Sequence, residues 1–379
     1  MKRLLTIGHS YIVEQNRRLA HEIARAGRGE WDVTLAAPTS IVGEPHVTSL
    51  SVAADEPCLV RPLTLRLGGH PHARFFSGGL RALLRQPWDV VHVWQEPYVV
   101  AAAQIAGLVR GDARLVPATF QNIPKRYPAI VRLLERRVMT RANGWVAFAR
   151  TAHDAHRDRS IYARRPVRVI PPGVDLGACR RNLAVRDAVR RRLGVKSDAY
   201  VVGFVGRLVP EKGVDVLLDA LECVKLPWKA VIVGRGPLAQ SVNAFARRHE
   251  GRVHLVTDAS HDRVPQYLNA FDVLCAPSRA TPHWQEQFGR MLIEGMACGV
   301  PVVAADTGEI PHVVGDAGLL VSGESPGVWA RAIEATLEDK GRCEELSTRG
   351  LVRVRERFAW PVVAKTHLDF FDSLVAGTA

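Results

Sequence analysis

The chain has 379 residues, of which 47% are hydrophobic and 23% are charged, as in water-soluble globular proteins and unlike disordered or fibrous ones. A chain of this length predicts two domains. Its 51 lysines and arginines outnumber its 38 aspartates and glutamates, and the net charge of +13 allows three kinds of partner: nucleic acid, an anionic membrane surface and phosphate-bearing ligands.

Three features of the sequence bear on the cellular compartment: its apolar runs, its first residues and its cysteines. No run reaches the roughly 18 apolar residues of a transmembrane helix, so we expect none. The apolar run after Lys2-Arg3 is too short for a signal peptide and favours a first strand. The six cysteines are scattered without a Cys-x-x-Cys pair, as in a reducing compartment. We therefore expect a cytoplasmic protein.

In the first half of the chain, short β-branched runs alternate with amphipathic stretches. We predict strands over residues 4–7, 33–36, 89–94, 114–118, 145–148 and 167–170, and helices over 14–26, 73–84, 98–109 and 129–140. Such alternation is typical of a parallel sheet covered by helices. The segment Pro171-Pro172-Gly173-Val174-Asp175 then interrupts the pattern and predicts a domain boundary after residue 175.

The second half restarts the same alternation. We predict strands over residues 200–205, 228–233, 253–256, 273–276 and 300–304, and helices over 214–224, 241–248, 264–270, 327–338, 342–358 and 362–375, besides one that carries Glu294. Both halves therefore read as doubly wound α/β domains, in which ligands bind at the carboxyl ends of the strands.

One such strand end carries two cations. Residues 201–213 read VVGFVGRLVPEKG, so that Gly206 and Arg207 follow a buried strand and Lys212 precedes a helix. A small residue lets a ligand approach the backbone, while the guanidinium, the ammonium and the electropositive helix start all favour a diphosphate. The alternative is a capped strand-to-helix turn with two surface cations.

Two glutamates mark a second part of this rim. Glu286 precedes a predicted helix and Glu294 lies eight residues later, a little over two turns of about 3.6 residues each, hence on nearly the same side. Phe288-Gly289 opens the helix, where backbone N–H groups are free. The arrangement suits a polyhydroxy ligand carrying phosphate; the alternative is a pair of solvated surface glutamates.

Two further turns follow neighbouring strands. Residues 231–237 read VIVGRGP, with Gly234 and Gly236 in the turn, and Pro277-Ser278 follows the strand 273–276. Each turn alone is ordinary. By sheet order, however, all of these loops and the glutamate helix converge on one edge, which predicts a nucleotide pocket.

Taken together, these motifs resemble the retaining glycosyltransferases of family 4. The resemblance rests on GRLVPEKG (206–213), VGRGP (233–237), PS (277–278), EQFG (286–289), EGMACGVPVVA (294–304), PPGVD (171–175) and FAWPVVA (358–364). It implies the GT-B fold: an α/β protein with two doubly wound, Rossmann-like domains facing across a cleft. Residues 1–175 would bind the acceptor, 176–360 the nucleotide sugar, and the helix in 361–379 would cross back to the first domain.

The resemblance also implies roles. Arg207 and Lys212 would hold the donor diphosphate, Glu294 the ribose hydroxyls, and Glu286 the donor sugar beside the Phe288 and Gly289 amides. The implied enzyme moves a sugar, with retention, from a nucleoside-diphosphate sugar to a glycan, lipid-linked or small-molecule acceptor. Because no Asp-x-Asp motif occurs, we expect neither a metal nor another cofactor.

The first domain departs from the family pattern. Relatives often have a glycine pair after the first strand, whereas this chain has Gly8-His9-Ser10. Many relatives also have a sugar-contacting histidine where this chain offers Gln121, which can hydrogen-bond a hydroxyl but cannot titrate. The QN-x-x-KRYP segment around it resembles polysaccharide-assembly members, which suggests cell-surface polysaccharide or glycoconjugate synthesis.

Other functions stay open on the sequence. The charge permits a nucleic-acid or membrane-surface binding protein, although no nucleic-acid motif is present and no such partner is expected. The fold could also serve a sugar-nucleotide epimerase or a non-catalytic subunit. At the predicted helix 129–140, basic and apolar residues together suit peripheral contact with the anionic inner face of a membrane; the alternative is a core helix with a charged outer face. The residues are Arg126, Arg132, Arg136 and Arg137 around Ile130, Val131, Leu133 and Leu134.

Overall fold

The computed structural model describes residues 1–42, 47–66, 71–196 and 199–379. The chain divides into two units: Met1–Gly173 with Trp360–Ala379, and Val174–Ala359. The first break lies after Gly173, two residues before the expected boundary after residue 175. The return begins at Trp360, where residue 361 was expected. Gly173 is confined because a Cβ there would lie 2.4 Å from the indole of Trp360.

An eight-stranded sheet forms the centre of the first unit, in the order β10-β9-β8-β7-β1-β2-β5-β6. All of its pairings are parallel except that of β5 with β6 at one edge, while β3 and β4 form a separate antiparallel pair. The strands are β1 (Lys2–Ile7), β2 (Trp31–Pro38), β3 (Ser40–Val42), β4 (Val47–Ser49), β5 (Leu59–Arg66), β6 (Phe75–Gly78), β7 (Val90–Val93), β8 (Arg114–Thr119), β9 (Trp145–Ala147) and β10 (Val167–Val169).

Helices cover both faces of this sheet. They are α1 (Glu14–Ala26), α2 (Leu80–Leu84), α3 (Val100–Leu108), α4 (Ala129–Arg141), α5 (Arg150–Asp154), α6 (Ser160–Ala163) and, from the end of the chain, α15 (Trp360–Ala376). Side chains alternate across a strand, so Leu4 packs in a core layer with α1 and α15, whereas Leu5 packs in the opposite layer with α2 and α3.

The helix predicted over residues 73–84 is wrong. Its first part is the edge strand β6, which pairs antiparallel with β5, and only Leu80–Leu84 is helical. The side chain of Gln104 fixes the strand, since it accepts from the Phe76 amide at 2.9 Å and donates to the Phe76 carbonyl at 2.6 Å. Gly79, with φ of 78°, then turns the chain into α2.

The second unit has six parallel strands: β11 (Tyr200–Val205), β12 (Trp228–Val233), β13 (Val253–Val256), β14 (Val273–Ala276), β15 (Val302–Ala305) and β16 (Gly318–Val321). Their order is β13-β12-β11-β14-β15-β16. Strand order therefore reverses between β11 and β14, the point at which doubly wound sheets bind ligands beyond the carboxyl ends of their strands.

The helices of the second unit are α7 (Leu183–Arg192), α8 (Val214–Cys223), α9 (Ala239–Arg248), α10 (Val264–Ala270), α11 (Arg290–Ala297), α12 (Ile310–Val314), α13 (Pro326–Glu338) and α14 (Lys340–Arg357). The predicted α/β class with two Rossmann-like domains is thus confirmed. In the part of the chain that the structure describes, no helix is long and apolar enough to cross a membrane.

Candidate functional site

Interlocked turns after β11 and β12 form one part of the rim in the second unit. The Gly206 amide donates to the Val233 carbonyl at 3.0 Å, and the Leu208 amide donates to the Arg235 carbonyl at 2.7 Å. A Cβ at Gly234 would lie 1.8 Å from the Gly206 oxygen, and one at Gly236 would lie 2.4 Å from the Leu208 oxygen. Positions 234 and 236 therefore require glycine, because the backbones of the two turns are in contact. At these positions the turns present backbone atoms, and no side chain, to a ligand.

Arg207 and Lys212, which were expected to bind the diphosphate together, differ in their exposure to solvent. Arg207 is exposed and has no hydrogen-bonding or ion-pair partner among the described residues. Lys212 ends a short 3-10 helix, Pro210–Lys212, and its side chain is mostly buried. Gly213 follows with φ of 66°, and a Cβ there would lie 1.9 Å from the Pro277 carbonyl oxygen. This close approach brings the start of α8 against the turn after β14.

Lys212 and Glu286 form an ion pair. The Lys212 ammonium group contacts Oε2 of Glu286, and the Ser278 hydroxyl donates to the same oxygen at 3.1 Å. Glu286 is only 5% exposed, and the Glu309 amide donates to its backbone carbonyl at 3.0 Å. The alternative of a solvated surface glutamate is therefore wrong for Glu286, and the lysine expected to be free for phosphate has a carboxylate partner.

Beside this pair lies Trp284, which the sequence analysis did not single out. The Lys212 nitrogen is 5.4 Å from the centre of the indole ring. Trp284 belongs to the segment between Ser278 and Glu286 that leads into the glutamate motif. An aromatic residue so near the motif, two positions after the Thr281-Pro282 pair, was a signal available in the sequence.

Helix α11 begins after this segment and carries the second glutamate. Gly289, with φ of 82°, precedes its first residue, and the Phe288 ring packs edge-on against Phe358 at 5.7 Å. Phe288 therefore offers a ligand its backbone only. Glu294 is buried within the helix, and burial raises the pKa of its carboxyl, an effect that nearby His261 and Arg290 partly oppose. Its Oε1 lies 3.8 Å from Nε2 of His261.

The first unit holds the remaining predicted residues at the carboxyl ends of β1 and β8. Gly8 follows β1, and a Cβ there would lie 2.9 Å from the Trp94 carbonyl oxygen. His9 comes next; burial, assisted by the charge of Arg74, lowers the pKa of its imidazole to about 4. Its Nε2 is buried and has no hydrogen-bond partner within the described part of the chain. Gln121 is buried, with its amide nitrogen donating to the Ile123 carbonyl at 2.9 Å.

Two side chains that the sequence analysis missed lie in the segment directly after β7. Gln95 is 8% exposed, and neither atom of its side-chain amide has a hydrogen-bond partner among the residues that the structure describes. Glu96 accepts hydrogen bonds from the Thr119 hydroxyl and the Phe120 amide, both at 2.8 Å, yet burial raises the pKa of its carboxyl to about 7. Buried polar atoms are rarely left unpaired in proteins, so the amide of Gln95 and the imidazole of His9 are each candidates for contact with water or a polar ligand.

The predicted residues thus fall into two sets. The second unit contains the nine donor-side residues: Gly206, Arg207, Lys212, Gly234, Gly236, Glu286, Phe288, Gly289 and Glu294. The first unit contains Gly8, His9 and Gln121. Within the described ranges, no three histidine, cysteine, aspartate or glutamate side chains are grouped so that they could hold a metal ion.

Comparison with known proteins gives matches across both units. Residues 15–178 match the family Glycosyltransferase Family 4, and residues 185–352 match Glycosyl transferases group 1. The D-inositol 3-phosphate glycosyltransferase of Salinispora tropica is 30% identical over 342 residues, covering 84% of this chain and 67% of that protein. The enzyme of the same name from Xylanimonas cellulosilytica is 29% identical over 397 residues, covering 95% of this chain and 90% of that protein.

Among solved structures, Anabaena Alr3699/HepE in complex with UDP and glucose superposes with a TM-score of 0.74 at 21% identity. The match covers 98% of this chain and 100% of that one. At this identity, the likeness supports the fold, which is the two-domain fold that the sequence motifs predicted.

Proposed function

The chain belongs to the glycosyltransferases of family 4 and group 1, and we propose that it transfers a sugar from a nucleoside-diphosphate sugar to an acceptor hydroxyl with retention and without a metal ion. The observation that carries this proposal is the contact of Lys212 and Ser278 with Glu286 at the switch point of the second sheet. A carboxylate and an ammonium group held together there suit a sugar joined to a diphosphate.

In this proposal, each group acts on a different part of the donor. Arg207 and Lys212 bind the diphosphate and stabilise the negative charge that grows on it as the glycosidic bond breaks. The amides at the start of α11 add to that positive field. Glu286 orients the sugar hydroxyls, and Glu294 accepts hydrogen bonds from the ribose. The leaving phosphate then helps to remove the proton of the acceptor hydroxyl on the same face of the sugar.

For the acceptor, we propose the carboxyl edge of the first sheet. Gln95 and the imidazole of His9 offer buried polar atoms to hydroxyl groups, and Nε of Arg74 is buried as well; none of these atoms has a hydrogen-bond partner in the described ranges. An arginine favours an anionic group on the acceptor. The inositol 3-phosphate named for the relatives is a polyol of this chemistry. We assign the reaction to cell-surface polysaccharide or glycoconjugate synthesis.

The test is a thermal-shift screen of the purified protein against UDP, GDP, ADP and their sugars, followed by turnover in EDTA. A ligand that binds the folded state raises the melting temperature. We expect one base to stabilise the protein, and its sugar to be consumed only when an acceptor is supplied. A donor that is epimerised instead would indicate the same fold without transfer. A strict need for Mg²⁺ or Mn²⁺ would overturn metal independence, and no nucleotide binding would overturn the proposal.

We also propose that α4 rests on an anionic membrane surface. Its Ile130 and Leu133 side chains are 63% and 61% exposed, and Arg126, Arg132 and Arg136 beside them are exposed as well. Apolar groups among cations suit the headgroup region of anionic lipid. Flotation with phosphatidylglycerol vesicles should show binding that weakens in salt and is lost in I130S/L133S. Equal binding to neutral vesicles, or none, would leave α4 as an ordinary surface helix.

A further inference from the structure

Trp284 is held by a tight turn of the backbone. The Thr281 amide donates to the Trp284 carbonyl at 2.7 Å, and the Thr281 hydroxyl oxygen accepts from the Trp284 amide at 2.9 Å and from the His283 amide at 3.3 Å. A turn closed by three hydrogen bonds fixes the direction in which its last side chain leaves the backbone. The indole is therefore presented to Lys212 by a defined scaffold.

The ammonium group of Lys212 meets two different partners. Glu286 takes N–H donors, whereas the ring of Trp284, 5.4 Å away, attracts the positive charge without accepting a conventional hydrogen bond. Glu286 is fixed by Ser278 and by its backbone bond to Glu309, while lysine has a flexible four-carbon stem with three rotatable donors. Of the two charged groups, the ammonium is therefore the one that can turn.

A bound diphosphate would compete with Glu286 for these donors. We propose that Trp284 is a positioning residue, which keeps the Lys212 ammonium over its ring while the N–H donors pass from Glu286 to the diphosphate. This inference rests on the proposed function of the site. Glu286 is released at the same step, so its carboxylate becomes available to the sugar hydroxyls when the diphosphate is in place.

The test measures the affinity of the nucleoside diphosphate selected from UDP, GDP and ADP by the screen, using titration calorimetry on the full chain. W284L should weaken binding about three- to tenfold, the scale of one partly buried cation–π contact. W284F should retain part of the affinity because phenylalanine is a weaker partner. H283A is the matched control: it alters an exposed side chain of the same turn and should bind normally.

A double-mutant cycle separates positioning from general loss of structure. In a K212M/E286Q background, which removes both charges together, W284L should cause no further loss, since the group that Trp284 positions is gone. An equal loss in both backgrounds would overturn the inference. So would normal binding of the free diphosphate by W284L with weakened binding of its sugar, because Trp284 would then contact the sugar directly. Absence of nucleotide binding by the unaltered chain would refute the proposed function itself.

Discussion

Replacing Lys212 by methionine tests whether the ion pair with Glu286 is part of the stability of the second unit. The two side chains are 13% and 7% exposed, so K212M removes the positive charge beside a carboxylate that is almost completely shielded from water. The Ser278 hydroxyl still donates to that carboxylate. Removing one partner of a buried pair costs about 3–5 kcal/mol, and the small exposure of both groups favours the lower end of that range. For a unit of this size, this corresponds to a drop in melting temperature of about 6–12 °C.

Two matched variants test whether the buried ion pair stabilises the second unit. E286Q should lower the free energy of unfolding less than K212M does, because the lysine stem can carry its ammonium group toward water. K212M/E286Q should recover most of the loss, since no unpaired charge stays buried. Thermal denaturation followed by circular dichroism measures all three. If K212M melts within about 2 °C of the unaltered protein, or if the double variant is less stable than K212M, the buried pair is not what holds Glu286.

Three other predictions concern single residues. Arg207→Ala should melt like the unaltered protein, because its side chain is exposed and unpaired among described residues, while kcat falls about 10²–10³-fold; normal turnover in a coupled assay would exclude the diphosphate role. Glu294→Gln should mainly raise KM for the donor and weaken the binding of free nucleoside diphosphate, whereas Glu286→Gln should mainly lower kcat. If calorimetry and kinetics give the reverse pattern, the roles of the two glutamates are exchanged. Because the folded-state pKa of Glu96 is raised to about 7, its protonated form favours folding, and this contribution is lost as pH rises from about 4.5 through 7. E96Q should flatten the melting temperature across that window, and an unchanged pH profile would contradict the shift.

Much of the second unit could be predicted from sequence because its strands are short runs rich in valine, isoleucine and aromatic residues. Residues 200–205, 228–233 and 253–256 are strands with the predicted bounds. The region 73–84 failed for a physical reason: its apolar spacing fits a helix, but the side chain of Gln104, distant in sequence, bonds both backbone groups of Phe76. The local spacing of apolar residues cannot predict a contact with a residue that is distant in sequence.

The candidate site shows the same limit. Motif order placed Lys212 and Glu286 on one rim, yet both were assigned to the ligand and not to each other. Their pairing depends on Gly213 approaching Pro277, a backbone contact between loops far apart in the chain. The unpaired atoms of Gln95 were equally hidden, because a glutamine after a strand gives no sign of whether its amide will find a partner.

The return of α15 to the first unit has a consequence for biosynthesis. Val363, Leu368 and Phe371 share a core layer with Leu4 and Ile23, so that layer joins two segments that the whole second unit separates in sequence. The ribosome must make the whole of Val174–Ala359 before the missing helix exists. Because domains fold as units during synthesis, the first unit is begun before the second but completed after it, and its apolar layer stays uncovered for as long as the second unit takes to translate. Chaperones that recognise exposed apolar surface would therefore bind this chain at that uncovered layer during synthesis.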